Sequence, residues 1–381
     1  MPNAVEIRVL VVTHYFATNG YGIEILASRY NQLLRARGFH VRWLGSIARN
    51  RVTRSEPSGE HEVGVPCWDG IRQATDLSWP MFGPWWLPRI AKEVRAADVV
   101  HLHEAFYPLT QAAFWFARLF RRPIVITQHI SDMPISGALR GHAVRVANFL
   151  MTQRAHALAD RVVYNNRRTQ AHLARFSRGK DAFVASGCDA DLFHPAAPGQ
   201  VGAIRRGLGL PVDGVLALFV GRFIEKKGLH RLRELALAHP AVHFVFVGQG
   251  LLDPSTWNVA NVVVREPMSQ AHLARYYRAS DLLLLPAVGE GLPLVVQEAM
   301  CSGVAPLVSR EIIEACPELA PFVYDAGLGG QRLGVVFAAF LARAGPRERA
   351  HERAAFAQGL WSWERCGDAY ADIFRSLVTS K

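Results

Sequence analysis

Two carboxylates, Glu290 and Glu298, stand with seven residues between them, Gly-Leu-Pro-Leu-Val-Val-Gln. Pro293 suits the first turn of a helix, where a missing N–H costs nothing. Glu290 is then expected on the loop after a strand at 282–286, and Glu298 about a turn and a half inside the helix. The N–H groups of Leu294 and Val295 would stand free at the helix start, suited to a phosphate oxygen. A solvated helix glutamate and a plain loop charge are the bland alternative. A second cluster, Gly221-Arg222-Phe-Ile-Glu225-Lys226-Lys227-Gly228, follows the apolar run 215–220. Gly221 permits close backbone approach, and Arg222 and Lys227 would fix positive charge at a strand end, where a departing diphosphate needs it. Here the alternative is a solvated basic turn.

The elements that must carry these residues are legible as periodicities. The run 7–13 (IRVLVVT) is short, β-branched and nearly all apolar, as a parallel strand covered on both faces should be. Ile23, Leu26, Tyr30, Leu33 and Leu34 then recur at helical spacing until Arg37 and Gly38, and a strand follows at 40–44. The loop Asn19-Gly20-Tyr21-Gly22 lies between them. Further strands are expected at 99–102, 124–127 and 162–164, with helices near 110–120 and 143–157. The second half repeats the alternation, with strands at 215–220, 243–247, 262–264, 282–285 and 305–308 and helices at 270–279 and 293–301. Such alternation predicts doubly wound parallel sheets. The Pro- and Gly-rich stretch 193–213 reads as a linker. The expected domains are 1–194, 195–360 and a terminal helix, 361–381, packing back on the first.

Bulk properties narrow the field. At 381 residues two cores are the natural expectation. The five cysteines are scattered, which suits free thiols in a reducing compartment. No basic segment precedes a cleavable apolar stretch at 1–13, and no apolar run is long enough to cross a bilayer. A cytoplasmic location follows as the expectation. The net charge of +11 calls for an anionic partner. Zinc-finger spacing, RNP-like strands and long basic tracts are missing from the sequence, so nucleic acid is not expected.

Taken together, Gly221-Arg222…Lys227-Gly228, Val247-Gly248-Gln249-Gly250, Ala279-Ser280-Asp281 to Pro286, and Glu290 with Glu298 resemble the retaining glycosyltransferases of family 4, which have the GT-B fold. In the first half, Gly20 and Gly22, His101-Leu-His103, Thr127-Gln128-His129 and Gly187-Cys-Asp189…Phe193-His-Pro195 agree. The resemblance runs from Val9 to about Tyr370. It implies an α/β chain of two Rossmann-like, doubly wound parallel-sheet domains facing across a cleft. It also implies that Arg222 and Lys227 hold the donor diphosphate, Glu298 the ribose hydroxyls and Glu290 the hydroxyls of the transferred sugar. His129 would lie near that sugar, and Gly22 would let the first-domain loop approach the phosphates. The donor would be a UDP- or GDP-sugar and the acceptor a hydroxyl of a saccharide, a lipid-linked intermediate or a small aglycone. No cofactor or metal is expected, because the side-chain cations and the helix dipole take that part.

Departures from the family pattern are Tyr21 between the loop glycines, Ala287 where serine is frequent, Ala305 where proline is frequent, and Ser309-Arg310-Glu311 in place of a Gly-rich turn. His101 and His103, two apart at a strand end, suit a structural role better than a metal site. The aromatic segments 79–86 and 110–122, with Arg89, Arg118, Arg121 and Arg122, fit either core packing or a peripheral contact with an anionic membrane at its inner face. Two other functions remain open on sequence: a UDP-sugar 2-epimerase of the same architecture, and a non-catalytic nucleotide-sugar-binding module.

Overall fold

A computed structural model describes residues 6–19, 22–49, 54–70, 79–130, 138–343 and 347–379. Gly20 and Tyr21 of the first loop lie outside the described residues. Contacts divide the chain into two units, Met1–Ser186 together with Trp363–Lys381, and Gly187–Ser362.

The first unit runs β1 (Arg8–Val12), α1 (Gly22–Ala36), β2 (His40–Arg49), β3 (Arg54–Ser55), β4 (Glu62–Pro66), α2 (Leu87–Ala96), β5 (Val99–His103), α3 (Pro108–Leu119), β6 (Ile124–Gln128), α4 (Ala138–Leu158), β7 (Arg161–Tyr164), α5 (Arg167–Leu173) and β8 (Asp181–Phe183). The strand order is β3-β2-β1-β5-β6-β7-β8, with β4 also on β2. Pairing is parallel except at β2 and β3. Both β5 and β6 are buried at every position, as unbroken apolar strands must be when helices cover both faces. Leu10, Val100 and Leu102 pack with Ile90, Val94 and Phe114 from α2 and α3. The chain leaves β1 toward β2 on one side and reaches β5 on the other, so the connections diverge beyond the ends of β1 and β5. Crevices at such switch points are where doubly wound sheets take ligands.

The second unit contains α6 (Val201–Gly207), β9 (Leu216–Val220), α7 (Leu229–Ala238), β10 (His243–Val247), β11 (Val262–Arg265), α8 (Gln270–Ala279), β12 (Leu282–Leu285), α9 (Leu294–Cys301), β13 (Ala305–Val308), α10 (Arg310–Ala315), β14 (Tyr324–Asp325), α11 (Leu333–Leu341) and α12 (Ala350–Leu360). Its parallel sheet has the order β11-β10-β9-β12-β13-β14, which puts the switch point between β9 and β12. Asp281 pins the start of β12. One carboxylate oxygen accepts from Leu216 N at 2.9 Å and Arg205 Nη2 at 2.7 Å, the other from Arg347 Nε at 2.9 Å. Buried charge is tolerable only when paired this completely.

The division falls earlier than the expected boundary at Pro195. Residues 187–194 belong to the second unit, where the Phe193 ring lies 5.8 Å from that of Tyr277 and His194 Nε2 is 3.0 Å from Arg278. Trp361 also stays there, buried, with its carbonyl accepting from Cys188 N at 3.0 Å. The last helix, α13 (Trp363–Thr379), returns to the first unit. Tyr370 Oη meets Thr127 Oγ1 at 2.8 Å, Phe374 packs on Phe39, and Arg37 Nε donates to Asp368 at 2.8 Å.

Candidate active site

In the second unit the loops after β9 and β12 are fastened to each other by backbone. Beyond β9 the chain enters a 3-10 turn, Glu225–Lys227, closed by Gly228 at φ 76°. A Cβ at Gly228 would lie 2.6 Å from Pro286 O, so only glycine lets this turn come so close to the β12 loop. Val288 N donates to Lys226 O at 2.8 Å and completes the join. Gly248, at φ 155°, makes room on the other side, since a Cβ there would meet Gly221 O at 1.9 Å.

The consequence is an ion cluster. Glu290 Oε1 sits 3.1 Å from Lys227 Nζ and 3.3 Å from Lys226 Nζ. Burial pushes this carboxyl up, but Lys227 and then Lys226 outweigh it and hold it at about 2. Burial lowers the Lys227 ammonium, Glu290 raises it again, and the charges of Lys226 and Arg222 bring it down further. Arg222 therefore shares the local field of Lys227. The site presents one carboxylate among three cations, all at the switch point of the sheet.

Pro293 is the N-cap of α9, with φ −68° and ψ 140°, and not its first helical residue as its ring geometry had suggested. Leu294 and Val295 thus occupy the first two helical positions, whose N–H groups have no acceptor within the helix. Glu298 is buried one turn on and faces the interior of the unit. Tyr277 Oη of α8 donates to its Oε2 at 2.9 Å, and burial lifts the carboxyl to about 7 against that bond. Glu298 is thus bonded by Tyr277, whereas Glu290 is held by the lysines. Ser309 and Glu311, outside the expected site, line its flank: Ser309 Oγ donates to Ala287 O at 2.5 Å, and Glu311 accepts from Gly329 N at 3.2 Å.

In the first unit, His129 follows β6 and is buried among polar groups at the strand ends. Burial brings its ring down to about 3, so it is neutral. His129 N and Ile130 N donate to Glu104 at 2.6 and 3.1 Å, and Gln128 Nε2 donates to the same carboxylate at 2.5 Å. Glu104 itself holds φ 68°, a left-handed conformation rare for a side chain with a Cβ. Burial raises its carboxyl to about 8 against those three bonds. His101 and His103 are buried and neutral as well, and among the described residues no cluster of His, Cys, Asp and Glu could hold a metal ion. Gly22 opens α1, with nothing within 4 Å of where a Cβ would stand.

Lys226, Tyr277 and Asn165 escaped sequence reasoning. Lys226 adjoins a chosen residue and could have been included on charge alone. No spacing rule links Tyr277 to Glu298, which meet only in the fold.

The aromatic segments divide between the two expectations. Phe114 is core, Trp79 packs on Phe106 at 4.3 Å, and Phe116 stacks on Phe120. Trp85 and Trp115 are exposed, by 75% and 45%, with Leu119 at 69%.

Known proteins give the same picture. Residues 20–192 match the model described as Glycosyltransferase Family 4, and residues 201–320 that described as Glycosyl transferases group 1. The chain is 29% identical over 304 residues to the D-inositol 3-phosphate glycosyltransferase of Mycobacterium leprae (strain Br4923), covering 74% of this chain and 69% of that protein. The fold superposes on a sucrose-phosphate synthase from Thermosynechococcus elongatus with a TM-score of 0.74 at 19% identity, over 99% of this chain and 100% of that one. It also matches Anabaena HepE in complex with UDP-glucose, with a TM-score of 0.73 at 15% identity, over 97% and 100% of the two chains. With a family 4 model on its first sheet, a group 1 model on its second and two Rossmann-like units, the chain belongs to the family 4 glycosyltransferases of GT-B architecture.

Proposed function

We propose that this glycosyltransferase moves a sugar from a UDP- or GDP-sugar to a hydroxyl of a saccharide, lipid-linked intermediate or small aglycone, with retention and without a metal. The observation that carries the reading is the cluster of Lys226, Lys227 and Glu290 at the β9–β12 switch point. Arg222 and Lys227 would take the diphosphate, helped by the N–H groups of Leu294 and Val295. Glu298 is assigned to the ribose hydroxyls, Glu290 and His129 to hydroxyls of the transferred sugar, and Gly22 to the close approach of the first loop to the phosphates. In the reaction the bond from the anomeric carbon to phosphate oxygen breaks and the nucleoside diphosphate leaves with the electron pair. The acceptor oxygen bonds to the same face of that carbon, and its proton passes to the departing phosphate. Fixed cations stabilise the charge that grows on the leaving group.

A thermal-shift screen of UDP-, GDP- and ADP-sugars identifies the donor. Turnover is then measured for Arg222→Ala and Glu298→Ala, with NMR reading the anomeric configuration of the product. Loss of activity is expected in both variants, and full activity in both would remove the assignment. NMR after incubation with donor alone separates a transferase from an epimerase, which needs no acceptor. Nucleotide-sugar binding without release of nucleoside diphosphate would point to a binding module.

A cytoplasmic enzyme held peripherally on an anionic membrane is part of the same reading. Residues 138–180 hold Asp160 as their single carboxylate against nine Arg and Lys. On α3, Trp115 and Leu119 are exposed beside Arg118, and Arg154 of α4 lies 5.0 Å over the Trp115 ring. A shallow cavity of about 550 Å³ on α2 adds Lys92 and Arg95 above Pro88 and Phe120. Exposed aromatics among cations suit a headgroup layer. Among the described residues, no helix is long and apolar enough to cross a membrane.

A further inference from the structure

The strand β7 ends in two asparagines whose amides are oriented by their own hydrogen bonds. Asn166 caps α5, its Oδ1 accepting from Thr169 N at 2.8 Å. That fixes its amide nitrogen outward, where it donates to His129 O at 2.9 Å and to Asn165 Oδ1 at 3.1 Å. Asn165 is fixed in turn. With its oxygen accepting from Asn166, its Nδ2 is the end that faces His129 Nδ1, at 2.9 Å.

An amide nitrogen can only donate, so His129 Nδ1 is the acceptor and carries no proton. In a neutral imidazole the proton is then on Nε2, which lies 3.1 Å from His103 Nδ1 and donates to it. The same logic passes to His103, whose proton must sit on Nε2, an atom without a hydrogen-bond partner among the described residues. Asn165 thus orders the protons of two rings from one contact.

We propose that Asn165 is a positioning residue that fixes His129 as the Nε2–H tautomer, and so as a hydrogen-bond donor. The functional consequence rests on the assignment of His129 to the transferred sugar made above. A ring so fixed has Nδ1 occupied by Asn165 and its one N–H directed at His103 Nδ1. A sugar oxygen can meet that N–H only by sharing it or displacing His103, and neither nitrogen is open to act as a base. Its role is orientation and charge stabilisation, with the acceptor proton taken elsewhere.

The test uses the full chain labelled with 15N-histidine and long-range 1H–15N correlation, which distinguishes the two tautomers without any ligand. Wild type is expected to show His129 with its proton on Nε2. Asn165→Asp sets a carboxylate against Nδ1 and is expected to draw the proton there. His103→Phe removes the acceptor at Nε2, and the tautomer is expected to stay as in wild type. A wild-type ring protonated on Nδ1, an unmoved proton in Asn165→Asp, or a switch in His103→Phe would each overturn the proposal. Should Asn165→Asp fail to fold, the other two spectra still decide. Turnover of the nucleotide-sugar identified by the thermal-shift screen is read in parallel, with a fall of about 100-fold expected once the Nε2–H is lost. A switched tautomer with unchanged turnover would leave Asn165 as assigned and take His129 off the sugar.

Discussion

Tyr277 donates to Glu298 Oε2 at 2.9 Å inside the second unit. The bond pulls down a carboxyl that burial has lifted from 4.5 to about 7. Between those values the folded chain keeps a proton that the unfolded chain has lost. The contribution of Glu298 to stability is therefore greatest below 4.5 and falls as pH rises through about 7, by on the order of 3 kcal/mol in all. Glu298→Gln, which cannot ionise, should match wild type in thermal unfolding near pH 5 and exceed it at pH 8. Parallel melting curves across that range would show an ordinary carboxyl. Tyr277→Phe should carry the wild-type fall on to higher pH, because the bond it removes holds the carboxyl down.

Lys227→Ala leaves the partly buried Glu290 carboxylate paired with Lys226. A loss of about 1–3 kcal/mol in folding stability is expected, less than for a pair broken outright. Affinity for the nucleoside diphosphate of the donor found by the thermal-shift screen should fall in calorimetry by about 10-fold or more, as removal of a charge-assisted phosphate contact requires. Unchanged binding of that nucleotide would separate the lysine from the diphosphate.

Asp281→Ala removes the common acceptor of Arg205, Arg347 and Leu216 N. Two buried or half-buried guanidinium groups lose their counter-charge, and a cost of about 3–5 kcal/mol is expected in denaturant unfolding. Arg205→Ala should lose a comparable amount. Mild effects in both would mean that water replaces the carboxylate.

Vesicles of phosphatidylglycerol are expected to sediment the protein at low salt and release it as salt rises, since exposed charges are screened. Trp115→Ser combined with Leu119→Ser should weaken binding without changing the melting temperature, because both side chains stand outside the core. Equal binding by wild type and the double variant would remove α3 from the contact.

The helices and inner strands were readable because burial on both faces leaves unbroken apolar runs, as in 7–13 and 215–220. The short strand Glu62–Pro66 was not. It holds glycine and proline in five residues and takes part only through pairing with β2. Helix Leu87–Ala96 follows the segment 79–86, which was read for its aromatics, and went unread although Pro84 and Pro88 marked the starts of two helical turns. In the candidate site, the contact of Glu290 with Lys227 followed a pattern of charge at strand ends. The hold of Glu104 on His129 depends on which strands are neighbours, and linear spacing carries no trace of that.

The return of α13 to the first unit has a cost in time. Tyr370 and Phe374 belong to that unit's interior, yet they leave the ribosome only after the whole of 187–362. A nascent first unit therefore waits, with its α1 flank bare to solvent, while the second is made. A fragment ending at Ser186 should inherit that bare flank permanently and prove aggregation-prone.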